Sequence, residues 1–351
     1  MRILVWHVHG AWMTAFLQGR HTYLVPVTPD RGPYGRGRAR TYPWPDNAVE
    51  VTPVQLANAE VDVVVLQRPE ELELAARWLR RVPGRDLPAV YVEHNTPRGQ
   101  VPDTRHPFAD RSDLVVVHVT HFNELYWDTG ETPTTVIDHG VPDPGHHYTG
   151  ELPRLAAVIN EPLRRWRVTG SDLLPYFAAC APIDVYGMRG AGLAERLGLS
   201  RDQICDRGDV VQSVMHQELA HRRVYLHPHR WTSLGLSLIE AMMLGMPVVG
   251  LAATEAVQAV PRDAGVLSTR IDELVEAARW LIEDPRAARA VGMRARAAAV
   301  ARYSVARFQA DWDALLSQVT GLPPAGVSGR WGGNGYADAV VGTDPVSERP
   351  H

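Results

Sequence analysis

The 351-residue chain contains no lysine: all 36 residues counted as Lys+Arg are arginine. That absence excludes Schiff-base lysine chemistry, lysine-anchored pyridoxal phosphate, a Gly-Lys-Ser/Thr phosphate loop and a lysine-centred kinase site, each of which needs an ammonium group at a fixed place. Any phosphate must be met by arginine, histidine, hydroxyls or backbone amides. Cysteine is nearly absent too. Cys180 and Cys205 are too few and too unclustered for a disulfide scaffold or a four-cysteine zinc site, which fits a reducing compartment. No stretch approaches the roughly 20 apolar residues needed to span a bilayer. The apolar start is short and interrupted by His7 and His9, unlike a secretory signal. A formal charge of −4 offers no general basic surface for nucleic acid. A cytoplasmic protein that binds no nucleic acid is expected, with peripheral membrane contact left open.

The length suits two domains of roughly 150 residues and a tail. Short β-branched runs at 3–8, 23–27, 61–66, 89–92 and 114–119 suit strands buried on both faces of a parallel sheet. Residues 69–81 read as an amphipathic helix, acidic at its start and basic at its end. Proline and glycine crowd together at 142–153, after which the pattern restarts with strands at 155–159, 183–186, 224–226 and 247–251 and helices at 172–179 and 236–244. Helices are expected at 271–282, 285–301 and 308–319. Beyond Gly321 the composition becomes rich in glycine, proline and serine, so residues 321–351 are expected to be a disordered tail.

In open parallel sheets, ligands bind outside the carboxyl ends of the strands. His7-Val8-His9-Gly10, Glu93-His94-Asn95 and Thr120-His121-Phe122-Asn123 all fall at such ends, which suggests one polar cleft. His94 follows its strand directly and reads equally as a proton acceptor, a hydrogen-bond donor to a substrate or a structural residue. His7 with His9, and His227 with His229, have the spacing of zinc ligands. No matching carboxylate or cysteine set accompanies them, so no metal is expected. The segment 225–250 runs from strand through a small-residue loop into a helix, then by Gly245-Met246-Pro247 into another strand. The free amides at that helix start would form an anion site that needs no lysine. Glu240, about one turn into the helix, reads either as a hydrogen-bond acceptor for a ribose diol or as a solvated glutamate.

Gly235-Leu236, Glu240-Ala241-Met242, Gly245 and Pro247-Val248-Val249 together resemble the signature of retaining glycosyltransferases of family 4. The resemblance extends over most of residues 1–320, through Val136-Ile137-Asp138-His139-Gly140-Val141, Asp263-Ala264-Gly265-Val266-Leu267, Asp272-Glu273-Leu274 and Arg302-Tyr303-Ser304. It implies an α/β chain of GT-B fold: two Rossmann-like doubly wound domains facing a central cleft. Residues 1–150 would form the acceptor-side domain and 151–301 the donor domain, with a helix at 302–320 crossing back to the first.

The resemblance also implies site residues. Glu240 would bind the donor ribose, and the amides of Gly235 and Leu236 the diphosphate. Gly10 would lie in the loop near the donor phosphates and acceptor, and His94 would contact the donor sugar. Two positions depart from the family. Thr232 stands where a sugar-contacting glutamate is usual. Arg164 keeps the family's arginine position, but Thr169 replaces its lysine, so Arg165 or Arg167 would supply the second positive charge. His94, Arg164 and Thr232 are thereby the expected catalytic residues. The implied reaction transfers a sugar, with retention, from a nucleotide diphosphate sugar to the hydroxyl of a carbohydrate or lipid-linked acceptor, without a cofactor. A nucleotide-sugar 2-epimerase on the same fold, or an inactive nucleotide-sugar binder, are the alternatives.

Overall fold

A computed structural model of the protein describes residues 1–101 and 103–323; most of the tail expected at 321–351 lies outside them. The first sheet contains β1 (Arg2–Val5), β2 (Thr22–Pro26), β3 (Ala48–Val51), β4 (Val63–Leu66), β5 (Ala89–Glu93), β6 (Val115–His118) and β7 (Thr134–Val136), in the order β3-β2-β1-β4-β5-β6-β7. The second contains β8 (Leu152–Val158), β9 (Ile183–Tyr186), β10 (Ile204–Gly208), β11 (Arg222–His227), β12 (Val248–Leu251) and β13 (Gly265–Ser268), in the order β10-β9-β8-β11-β12-β13. Every strand pair is parallel, with registers such as Leu4 on Val64 and Tyr225 on Val248. The two-domain, doubly wound α/β expectation therefore holds.

Alternation along the strands builds a core on each sheet face. In β1, Ile3 and Val5 join the cluster of Trp12, Phe16 and Tyr23, whereas Leu4, with Trp6 just beyond the strand, joins that of Leu79, Leu87 and Phe108. Four strands were not anticipated from sequence: β3, β7, β10 and β13. All four are sheet edges. An edge strand lacks one neighbour and carries exposed or half-exposed residues, so no continuous apolar run marks it. The helix expected at 172–179 is a 3-10 turn, Ser171–Leu173, followed by the helix Leu174–Ala178.

The helix Leu236–Leu244 ends because Gly245 takes φ +95°, donating its N–H back to Ala241 and Met242, before Pro247 leads into β12. The last helix, Val305–Thr320, begins behind the Ser304 cap and returns to the first domain. Phe308, Trp312 and Leu316 enter the core of the first sheet, and the Gln309 amide donates to Phe16 O at 3.2 Å. Among the described residues no helix is long and apolar enough to cross a membrane.

The Trp312 ring packs edge-on against Phe16 at 4.9 Å and Trp12 at 5.7 Å and is fully buried. Trp312→Ala should lower the unfolding free energy by about 3–5 kcal/mol in urea titrations, mostly by weakening the first domain. A loss below roughly 1 kcal/mol would mean that the returning helix is not part of that core.

Candidate functional site

Strand order reverses between β1 and β4 in the first sheet and between β8 and β11 in the second. Crevices open at these points because the chains leaving adjacent strands turn in opposite directions. In the first domain the crevice gathers histidines. His9 precedes the helix Gly10–Phe16, His94 follows β5 and His139 follows β7. The His9 and His94 rings lie 4.1 Å apart, with Trp12 edge-on to His94 at 5.1 Å. Burial pushes His9 and His139 down to about 4. It holds His94 well below the usual range, with His9 and His139 adding to the effect. All three are neutral at pH 7 and serve as hydrogen-bonding groups rather than as cations. Gly10 allows a close approach: a methyl there would sit 2.6 Å from Tyr42 Cε2.

In the second domain, two loops flank the crevice. The helix Pro162–Thr169, kinked at Trp166, follows β8. Its three arginines diverge. Arg164 is exposed and paired with Glu161, which also holds Arg189 at 2.7 Å. Arg167 is exposed and pairs with Asp172 at 3.1 Å. Arg165 is half-buried, makes no side-chain hydrogen bond or ion pair among the described residues, and feels Arg164 and Arg98 of the first domain; burial first, then those two guanidiniums, lowers its pKa. Thr169 is buried and bonds Trp166 O and Ser171 Oγ, so it faces its own turn rather than the cleft.

The second loop, 228–235, follows β11. Gly170, at φ +71°, lets the loops meet; a methyl there would lie 1.8 Å from Pro228 O. The Arg230 and Trp231 amides donate to Val168 O at 2.9 and 3.2 Å. Where the loop leaves β11, the His227 and His229 rings stack 4.6 Å apart, each with an Nδ1 unpartnered among the described residues. Burial takes His227 down to about 4 and His229 well below its usual range. Gly235, in extended conformation, precedes the helix Leu236–Leu244, and no side chain caps that end. Leu238 N–H donates to Gly235 O at 3.0 Å, whereas the Leu236 amide has no backbone partner among the described residues and remains available. Thr232 is half-buried and makes no side-chain hydrogen bond among the described residues.

The same loop closes onto the first domain. Trp231 Nε1 donates to Pro97 O at 3.0 Å, and its ring meets Phe122 and Tyr126 edge-on at 5.3 and 5.9 Å. Ser233 Oγ lies 3.3 Å from Thr120 Oγ1. Nearby, the Phe122 amide donates to Glu255 at 2.9 Å, and Arg302 joins Glu255 to Asp138. Between the domains lies a cavity of about 190 Å³ lined by Ala11, Thr14, Tyr42, Gln212, Leu236 and Glu240 among others. Glu240, 5% exposed, accepts from Gln212 Nε2 at 2.7 Å and lies 3.2 Å from His216 Nε2.

The structure thus brings Glu240, Leu236 and the helix bearing Gly10 to one interdomain cleft. Arg164 and Arg167 turn to surface carboxylates. Sequence reading missed Tyr42, Gln212 and His216, which approach the site only through contacts distant in sequence and carry no local motif, and it did not single out Trp231 within the segment 225–250.

Residues 183–284 match the family described as glycosyl transferases group 1. Similar solved structures include sucrose-phosphate synthase from Thermosynechococcus elongatus (15% identity, TM-score 0.69, covering 92% of this chain and 99% of that one). HepE of Anabaena is also similar, in complex with UDP (18%, TM-score 0.67, 91% and 100%) and with UDP-glucose (18%, 0.64, 91% and 100%). The fold is GT-B. No curated protein matches the sequence.

The neutral histidines make stability depend on pH. Their folded pKa lies below the unfolded value of about 6.5, so the unfolded chain binds more protons between pH 6.5 and 4. Stability is present above 6.5 and is lost as pH falls, at up to about 1.4 kcal/mol per pH unit for each histidine. Urea midpoints should decline over this range, and His9→Asn with His139→Asn should flatten the decline. An unchanged slope would show that these rings are not neutral in the folded protein.

Proposed function

We propose that the protein is a retaining glycosyltransferase of family 4 that moves a sugar from a nucleotide diphosphate sugar to an acceptor hydroxyl. The observation that carries this reading is Glu240, buried one turn beyond an uncapped helix start and facing the interdomain cavity, within the segment that matches glycosyl transferases group 1. Its carboxylate, already accepting from Gln212, suits a ribose diol. The amides at Gly235 and Leu236 would meet the diphosphate.

Arg165 is the favoured phosphate-binding arginine because its guanidinium is not committed to a carboxylate. Arg164 and Arg167 would join only by leaving Glu161 and Asp172. On this reading, departure of the nucleoside diphosphate is stabilised by Arg165 and the helix amides while the acceptor oxygen attacks from the same face of the sugar. We assign no metal to the step, since these groups supply the positive charge. His94 and Thr232 would contact the transferred sugar. Thr232 contributes a hydroxyl and no negative charge, so it orients the sugar without stabilising a positive anomeric centre. Closure through Trp231 would exclude water.

HepE, solved with UDP-glucose, names the first donor to test. UDP-glucose should raise the melting temperature, and release of UDP should increase when an acceptor is added and persist in EDTA. Binding without acceptor-stimulated release would favour the inactive binder, and an altered sugar on the nucleotide would favour the epimerase. Glu240→Ala and Arg165→Ala should each weaken donor binding roughly 10- to 100-fold, as loss of a charge-assisted hydrogen bond does. Arg164→Ala should cost less than Arg165→Ala. Equal losses, read by calorimetry, would displace Arg165 from its role.

A further inference from the structure

Gln67 follows β4 directly, beside β1 at the first sheet's crevice, and is 3% exposed. Its Nε2 donates to Trp6 O at 2.8 Å, and its backbone N–H donates to Glu71 Oε2 at 2.7 Å. The first contact determines which way the amide points, because the reversed amide would set two oxygens against each other at Trp6. Oε1 is therefore the atom 3.0 Å from His94 Nε2. An oxygen acceptor at that distance requires a proton on Nε2. A neutral imidazole has only one such proton, so His94 Nδ1 carries a lone pair. Nδ1 has no protein partner among the described residues, and His94 is only half-buried.

We infer that Gln67 is a positioning residue for the transfer site: it holds His94 as the Nε2–H tautomer, so that the atom His94 offers a bound sugar is an acceptor. This rests on the reading of His94 as a contact to the donor sugar. The consequence is chemical selectivity at that contact. A sugar hydroxyl can donate to Nδ1, whereas a carboxylate or phosphate oxygen placed there would face a lone pair. The amide also restrains ring rotation, because turning His94 over would leave buried Oε1 without its donor.

The test reads the tautomer directly by nitrogen-15 NMR of histidine-labelled protein, with His94 assigned by its loss in His94→Gln. Wild type should show a pyrrole-type Nε2 and a pyridine-type Nδ1 at His94. Gln67→Met, of similar volume but without the acceptor, should give a mixture of tautomers, and Gln67→Glu should keep the wild-type pattern. With UDP-glucose as donor, kcat for Gln67→Met should fall on the order of tenfold, with UDP affinity unchanged and activity partly retained in Gln67→Glu. An Nδ1–H tautomer in wild type, or an unaltered Nε2–H tautomer in Gln67→Met, overturns the inference. Neither result depends on turnover. Absence of turnover with every nucleotide sugar would instead sink the functional reading and leave the tautomer result standing.

Discussion

A wholly parallel sheet delivers all its strands' carboxyl ends to one edge, and the rest of this molecule follows from having two such edges facing each other. β1, β5 and β6 send Ala11, Pro97 and Thr120 toward the second domain, while β11 sends Trp231, Ser233 and Leu236 to meet them. The loops carry polar and aromatic groups because the strand interiors are filled with valine, leucine and isoleucine. Each crevice is set by a reversal of strand order rather than by any one side chain.

Without lysine, side-chain cationic charge comes only as guanidinium or protonated imidazole, and burial disfavours the second at five histidines around the cleft. His9, His94 and His139 are neutral, as are His227 and His229. Arginine remains, and its planar fork pairs readily with carboxylates. Asp172 accommodates Arg167 and Arg230, Asp184 accommodates Arg154 and Arg222, and Glu161 accommodates Arg164 and Arg189. Against this background an arginine that is half-buried and uncommitted carries information. Arg165 is such a residue: it feels the charge of Arg98, and His229 feels the charge of Arg165.

Legibility in the sequence tracked burial on both faces. Central strands such as β4, Val-Val-Val-Leu, read as apolar runs; the edges β3, β7, β10 and β13 did not, because one flank of each has no strand to cover it. The segment carrying Gly235, Glu240 and Gly245 was legible because strand, loop, helix and turn are consecutive, and local rules apply to them. The choice among Arg164, Arg165 and Arg167 was not. It depends on Glu161 and Asp172 as partners and on a kink at Trp166, whose φ of 22° no helical pattern anticipates. Gln67 was equally hidden, since its partners Trp6 and His94 stand 61 and 27 positions away.

Thr232 belongs to a loop whose position is set by its neighbours rather than by its own hydroxyl. Trp231 anchors the loop to Pro97, Phe122 and Tyr126, Ser233 meets Thr120, and Gly170 brings the preceding loop against Pro228. The Thr232 side chain carries a hydroxyl and no charge. The loops on either side of the second crevice are joined through Val168, whose carbonyl accepts from the Arg230 and Trp231 amides. Thr232 makes no side-chain hydrogen bond and Arg165 no ion pair among the described residues, so both side chains stay uncommitted between the two domains' facing edges.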